Sequence, residues 1–247
     1  MLAGHPVVQV FLFALITALA TSLGALPFLL IPTLSPRLAA FANATAAGLM
    51  LGASFGMVVG GTEHGAWATL IGVVVGVAFM LVTQRIIRDY GGDATFLGAR
   101  GAGAQRMLLV VVIMTVHSFA EGAAVGVSFG GGSALAATIT LAVAVHNIPE
   151  GLAVSAVMRP QGASILACMW WSFVSSVPQP LAAVPAFLFV SRSSAALPYG
   201  LGFAAGAMVF MVLVELLPEA YEQAVARSVA VVTSLTLLGM LLVQHFL

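Results

Sequence analysis

The sequence predicts an all-α polytopic membrane protein, and two observations carry this prediction. Of its 247 residues, 61% are hydrophobic and 6% are charged, whereas a soluble domain has about 45–50% apolar and about 25% charged residues. The apolar residues also form long runs, and about 20 of them in a helix cross a lipid bilayer. The net charge is zero and no basic tract occurs, so we expect no binding of nucleic acid.

Eight apolar runs are long enough to span the membrane. They lie at about residues 6–31, 38–60, 65–84, 107–129, 133–157, 163–190, 196–217 and 228–247. We interpret the first run as a retained span, because it is not preceded by the basic segment of a cleaved signal peptide. The connections are short except for residues 85–106, a polar loop rich in glycine. We therefore expect a single transmembrane transporter domain over residues 1–247.

The arginines indicate how the spans are oriented. The chain has no lysine, and every arginine except Arg192 falls in a loop that follows an odd-numbered span. Positively charged residues accumulate in cytoplasmic loops. We therefore expect the long loop to lie in the cytoplasm and both termini to be extracytoplasmic. The bacterial inner (plasma) membrane is the expected location.

One internal repeat favours a transporter architecture. Ala46-Ala-Gly-Leu-Met50 in span two matches Ala204-Ala-Gly-Ala-Met208 in span seven. These two spans cross the membrane in opposite directions, so the repeat is inverted. Inverted repeats are common in secondary transporters, whose substrate site lies near the midplane between the halves. Gly122, Gly126 and Gly130 recur at every fourth residue of span four, and this pattern predicts close packing of the helices.

A second repeat carries the candidate chemistry. His117-Ser-Phe-Ala-Glu121 in span four and His146-Asn-Ile-Pro-Glu150 in span five each place a histidine one helical turn before a glutamate. Ionisable residues inside a membrane are costly and indicate function. Because these spans are antiparallel neighbours, their side chains can converge into a set of ligands suited to Zn²⁺, Fe²⁺ or Mn²⁺. The alternative is that each histidine hydrogen-bonds its own glutamate and stiffens the bundle.

Transport of a divalent metal ion is the favoured function. Metal binding displaces protons from histidine and carboxylate ligands, which gives a physical route to proton-linked transport. One alternative is a proton-coupled transporter of a small organic solute, and a weaker one is an intramembrane metallohydrolase. We do not expect an enzyme, because the His-Glu-x-x-His string of zinc hydrolases is absent. No organic cofactor is expected.

Together with further stretches, these motifs resemble the ZIP (Zrt/Irt-like) family of divalent metal ion transporters, and most closely its prokaryotic-type branch. The further stretches are residues 46–55, Pro178-Gln-Pro180, residues 202–208 and Glu215-Leu-Leu-Pro-Glu-Ala. The resemblance implies an eight-helix, inverted-repeat bundle that carries metal toward the cytoplasm. The implied substrate is zinc, with iron, manganese and cadmium as competitors. A homodimer is also implied, as is an elevator-type movement of spans one, four, five and six against the other four.

The resemblance also implies the metal ligands. The main site of the family matches His117, Glu121, His146 and Glu150, to which Met50 adds a thioether. A second site in some members draws on an asparagine, on the residue after the second histidine, and on a glutamate before a proline. In this chain those positions are Ser118, Asn147 and Gln179. Because Ser118 and Gln179 are neutral, we expect one strong metal site instead of a two-metal centre.

Three more residues are candidates for the transport pathway. Glu63 and His64 lie in the short loop predicted after span two, where they either capture incoming metal or are simply solvated. Glu215 lies near the end of span seven and either lines the exit or is an ordinary helix-end residue.

Overall fold

The computed structural model describes residues 5–90 and 102–246, and these residues are almost entirely helical. The nine α-helices of this part of the chain are α1 (Pro6–Leu23), α2 (Pro36–Tyr90), α3 (Ala102–Ser128), α4 (Ser133–Met158), α5 (Ile165–Ser176), α6 (Pro178–Arg192), α7 (Ala196–Met211), α8 (Leu217–Gln223) and α9 (Ala226–His245). Short 3₁₀ turns lie at Leu26–Leu29, Phe129–Gly131 and Arg159–Gln161, and a π-helical segment at Val212–Leu216 joins α7 to α8. The predicted all-α class is confirmed.

Among the described residues, seven helical segments are long and apolar enough to cross a membrane. One of them, Pro36–Ile87, has 52 residues and contains the second and third predicted spans. The eight predicted spans therefore do not appear as eight separate helices. A straight helix of that length would measure about 78 Å, more than twice the thickness of the hydrocarbon core of a bilayer.

The long helix α2 bends sharply at Gly65. The backbone there is not helical, with a φ of 156° and a ψ of 100°, and only glycine adopts such a φ readily. A Cβ built on Gly61 would lie 2.7 Å from Thr69 Oγ1, although eight residues of a straight helix rise about 12 Å. The chain therefore reverses direction at this point.

The two arms of α2 run in opposite directions along the helical segment Ala196–Gln223. Before the bend, Ala40 and Ala220 belong to the same buried cluster, and Gly60 lies beside Leu201. After the bend, the neighbouring pairs are Gly72 with Tyr199 and Gly76 with Phe203. The first arm of α2 is therefore antiparallel to the segment Ala196–Gln223, and the second arm is parallel to it. This antiparallel arrangement is consistent with the eight predicted crossings.

The predicted loop at residues 85–106 is helical at both ends. Helix α2 continues to Tyr90 and α3 begins at Ala102, whereas residues 91–101 lie outside the described residues. Hydropathy marks the end of an apolar run, but a helix can continue beyond the hydrocarbon as a polar helix. For this reason the helices extend several residues past the predicted boundaries.

Close glycine contacts hold the helices together in two groups. In the first group, a Cβ on Gly122 of α3 would lie 2.6 Å from the Cα of Gln179 in α6, and one on Gly151 of α4 would lie 2.7 Å from the carbonyl carbon of Thr21 in α1. In the second group, Gly76 packs on the backbone of α7 and Gly48 packs on that of α9. A side chain at any of these positions would separate the helices, which confirms the predicted glycine packing.

Candidate metal centre

The two His/Glu motifs meet in the interior of the bundle. His117 and Glu121 lie one turn apart on α3, and His146 and Glu150 lie one turn apart on α4. Each of the four side chains is at most 1% exposed. Gly132, whose φ of 100° favours glycine, turns the chain between α3 and α4 so that the two helices pack against each other. The structure therefore brings these four residues together.

Glu121 lies in the middle of this cluster. His146 Nε2 and Glu121 Oε1 are 2.6 Å apart and share a short hydrogen bond. His117 Nε2 lies 3.5 Å from Glu121 Oε1 and 3.5 Å from Glu150 Oε1. Potential ligand atoms of His117, Glu121 and Glu150 all lie within 4.8 Å of one another, and His146 joins them through its bond to Glu121.

This pairing differs from the one expected if the motifs only stiffened the bundle. His146 bonds to the glutamate of the other helix, and neither carboxylate oxygen of Glu150 has a hydrogen-bond partner. The two ring nitrogens of His117 also lack hydrogen-bond partners. Two of these atoms, His117 Nε2 and Glu150 Oε1, lie 3.5 Å from each other, whereas a buried polar atom with no partner at all costs about 1–3 kcal/mol. Histidine nitrogens and carboxylate oxygens are ligands for borderline divalent cations, so the centre fits such an ion chemically.

A network of neutral polar side chains packs against the other side of Glu121. Gln179 Nε2 donates to Glu121 Oε2 at 2.7 Å. Gln179 Oε1 accepts from Thr17 Oγ1 at 2.5 Å and from Asn147 Nδ2 at 3.2 Å. Asn147 Nδ2 also donates to the backbone carbonyl of Thr17 at 2.8 Å. All of these side chains are at most 1% exposed, so the network is closed to bulk water.

Two of the three positions that match a second metal site belong to this network, namely Asn147 and Gln179. Ser118 does not belong to it, because its buried hydroxyl has no hydrogen-bond partner. The sequence reasoning missed Thr17. A single threonine in an apolar run gives no distinctive signal, and Thr17 meets Gln179 across 162 positions of the chain.

Two prolines set the local backbone around the centre. Pro149 lies inside α4 just before Glu150, and because it has no N–H, the carbonyl of Val145 loses its helical partner. Pro178 begins α6, where the missing N–H would have no helical partner in any case. Gln179 consequently lies in the first turn of α6, within reach of α3.

The other predicted residues lie in different surroundings. Met50 is fully buried in the main hydrophobic core, and its role as a thioether ligand stays a prediction. Glu63 and His64 are exposed and helical, so the short loop predicted there is wrong. They line a cavity of about 580 Å³ that also extends to His245. Helix formation continues through this stretch because only Gly65 departs from helical geometry.

Glu215 lies in the π-helical segment Val212–Leu216 and is half-buried. It lines a cavity of about 340 Å³ together with Arg106 and Glu219. The last two form an ion pair at 2.9 Å that links α3 to α8. A π-helical turn often marks a functional position, and the place of Glu215 in the pathway stays a prediction.

Comparison with known proteins gives one consistent result. The family model described as ZIP Zinc transporter matches residues 99–243. A putative zinc transporter of Arabidopsis thaliana is 46% identical over 93% of this chain and 37% of its own length. Zinc transporter GufA of Myxococcus xanthus is 33% identical over 85% of this chain and 87% of its own length. Zinc transporter ZIPB of Bordetella bronchiseptica is 32% identical over 82% and 70%, respectively. The chain thus spans little more than a third of the plant protein but most of the two bacterial proteins.

Proposed function

The chain belongs to the ZIP family of zinc transporters, and we propose that it carries divalent transition-metal ions, with zinc as the main substrate, through the buried His/Glu centre. It is an integral membrane protein and a transporter, not an enzyme. The observation that carries the proposal is the set of buried atoms of His117 and Glu150 that lack hydrogen-bond partners beside Glu121. These atoms gain favourable contacts when a cation binds.

The distances support a tetrahedral ion bound by His117, Glu121, His146 and Glu150. With metal–ligand bonds of about 2.0–2.1 Å, neighbouring ligand atoms of a tetrahedral Zn²⁺ site are about 3.3 Å apart. His117 Nε2 lies 3.5 Å from an oxygen of each glutamate, so these atoms need to move very little. The 2.6 Å separation of His146 and Glu121 has to lengthen, and His146 has to approach the other ligands, because it lies outside the group of ligand atoms within 4.8 Å of one another.

Loading of the ion releases a proton from the hydrogen bond between His146 and Glu121. This bond contains one proton, whichever of the two residues carries it. Both atoms need a free electron pair to bind the same metal ion, so the proton has to leave. Transport is then linked to proton movement in the simplest ratio, one proton for each ion that enters the centre.

The ligand set determines which ions compete. Two imidazoles and two carboxylates suit Zn²⁺, and they also accept Fe²⁺, Mn²⁺ and the softer Cd²⁺. If the thioether of Met50 approaches the ion, it adds a soft ligand and favours Cd²⁺. No organic cofactor takes part in this proposal.

The proposed direction of transport is toward the cytoplasm, with both termini outside and the bacterial inner membrane as the location. Two features support an opening of the centre toward the cytoplasm. A cavity of about 360 Å³ is lined by Arg106 and by Ala153 and Val157 of α4. These two residues follow Glu150 by three and seven positions and so lie on the same helical face. The cavity therefore approaches the centre from the side that holds most arginines, which is the cytoplasmic side under the positive-inside rule.

The proposed movement is an elevator-type displacement of the group α1, α3, α4, α5 and α6 against the group α2, α7, α8 and α9. The glycine contacts support this division, because backbones touch within the first group at Gly122 and Gly151 and within the second at Gly48 and Gly76. Helices that touch through their backbones are expected to move as one body. We also propose that the protein forms a homodimer in the bilayer.

The proposal is tested by Zn²⁺ influx into proteoliposomes that contain a zinc-sensitive dye. Replacing Glu150 with glutamine removes one anionic ligand and keeps the size of the side chain. We expect Glu150→Gln to lower the influx at least about ten-fold. Glu222→Gln is the matched control, because Glu222 is exposed on α8, and it should transport like the wild type. Equal influx through wild type and Glu150→Gln would contradict the proposal.

A further inference from the structure

The two oxygens of the Glu121 carboxylate have different surroundings. Oε1 faces the histidines, since it lies 2.6 Å from His146 Nε2 and 3.5 Å from His117 Nε2. Oε2 accepts a hydrogen bond from Gln179 Nε2 at 2.7 Å. One oxygen of Glu121 is thus directed at the centre, and the other is already bound to an amide.

The orientation of the Gln179 amide is fixed by its own partners. Its oxygen accepts from Asn147 Nδ2, which can only donate, and lies 2.5 Å from Thr17 Oγ1, whose single proton is also within hydrogen-bond distance of the Ala14 carbonyl. Rotating the amide by 180° would place its oxygen against the Glu121 carboxylate and its NH₂ against the NH₂ of Asn147. Both contacts would be repulsive in a site where every participant is buried. The NH₂ group therefore remains on Glu121.

The backbone leaves this contact little freedom. Gln179 lies in the first turn of α6, directly after Pro178. Its Cα packs so closely on Gly122 that a Cβ on that glycine would lie only 2.6 Å away. Gly122 directly follows Glu121 on α3. The amide and the carboxylate are therefore held together through their main chains as well as through the hydrogen bond.

We propose that Gln179 is a positioning residue that restricts Glu121 to one-oxygen coordination and thereby sets the preference of the centre for Zn²⁺ over Mn²⁺. The inference rests on the proposed function of the His/Glu centre. A tetrahedral Zn²⁺ ion needs only one oxygen from each carboxylate. An Mn²⁺ ion prefers six ligands, most of them oxygens, and the second oxygen of Glu121 is a weaker ligand for it because the amide of Gln179 already takes one of its lone pairs.

The test compares the dissociation constants of Zn²⁺ and Mn²⁺ for the purified full-length protein in detergent. Gln179→Leu replaces the amide with an apolar side chain of similar size and frees Glu121 Oε2. We expect Zn²⁺ affinity to fall about 10- to 100-fold, as is usual when a partner of a metal ligand is lost. Mn²⁺ affinity should fall much less, so that the preference for Zn²⁺ shrinks at least about ten-fold.

Ser175→Ala is the matched control, because it also removes a buried polar group but one that bonds only to its own helix. It should leave both dissociation constants unchanged. Equal losses for Zn²⁺ and Mn²⁺ in Gln179→Leu would mean a purely structural role and would overturn the inference, as would an unchanged ratio. If the wild type binds neither ion, the proposed function itself fails, and this outcome is distinguishable because it does not depend on the variant.

Discussion

Replacing Gly122 with alanine is expected to disturb the metal centre without changing any of its ligands. Gly122 follows Glu121 on α3 and faces the first turn of α6. A Cβ at this position would lie 2.6 Å from the Cα of Gln179 and closer still to its carbonyl oxygen. Because these are backbone atoms, no side-chain rotation relieves the clash. Helix α6 has to move away from α3.

The size of the effect follows from these distances. Ordinary contacts of a Cβ begin at 3.4 Å, so α6 moves by at least about 0.8 Å, the difference between 3.4 and 2.6 Å. A movement of this size can lengthen the 2.7 Å hydrogen bond from Gln179 to Glu121 to as much as about 3.5 Å, where little of its strength remains. Overpacking costs about 1–3 kcal/mol of stability, and the lost partner lowers Zn²⁺ affinity about 10- to 100-fold.

The assay measures the Zn²⁺ dissociation constant and the midpoint of thermal unfolding of the purified protein in detergent. Gly239→Ala is the control, because a Cβ on Gly239 of α9 would meet no heavy atom within 4 Å. Alanine favours the helix by about 1 kcal/mol over glycine, so this variant should be at least as stable as the wild type. Wild-type affinity together with wild-type thermal stability in Gly122→Ala would refute the reasoning.

Two further predictions concern the centre and the bend. Zn²⁺ affinity should fall about ten-fold for each unit by which the pH is lowered, because binding releases the proton shared by His146 and Glu121. Dissociation constants measured at several pH values check this prediction. An affinity that does not depend on pH would contradict it. Gly65→Ala should lower the free energy of unfolding by about 1–3 kcal/mol, because the φ of 156° is unfavourable for alanine. Thermal unfolding beside Gly239→Ala measures the loss, and equal midpoints for the two variants would show that the bend needs no glycine.

The sequence identified the four residues of the centre because their signal is local. His117 with Glu121 and His146 with Glu150 are ionisable pairs one turn apart in runs of apolar residues, and one turn of helix places each pair on one face whatever else the chain does. Which histidine bonds to which glutamate is not a local property. The bond from His146 to Glu121 depends on how α3 and α4 are rotated against each other, and it was not predicted.

For the fold as well, the sequence predicted the local features but not how they are connected. Long apolar runs fixed the helical class, because backbone polar groups in a bilayer have to be satisfied within a helix or a closed barrel. The prediction separated spans two and three by a short loop, whereas the chain stays helical up to a single residue of unusual geometry, Gly65. Hydropathy reports where the apolar surface ends, and it cannot report whether the backbone continues as a helix beyond that point.

The sequence by itself determined that the protein lies in a membrane, that it is helical, and which types of side chain bind the metal. Composition and spacing along one helix are properties of the chain alone. The tertiary structure decided the remainder of the centre. It placed Gln179 of α6 against one oxygen of Glu121, and Thr17 of α1 and Asn147 of α4 against the amide oxygen of Gln179. These groups are far apart in sequence, and only close packing of the helix backbones, as at Gly122, brings them within hydrogen-bond distance.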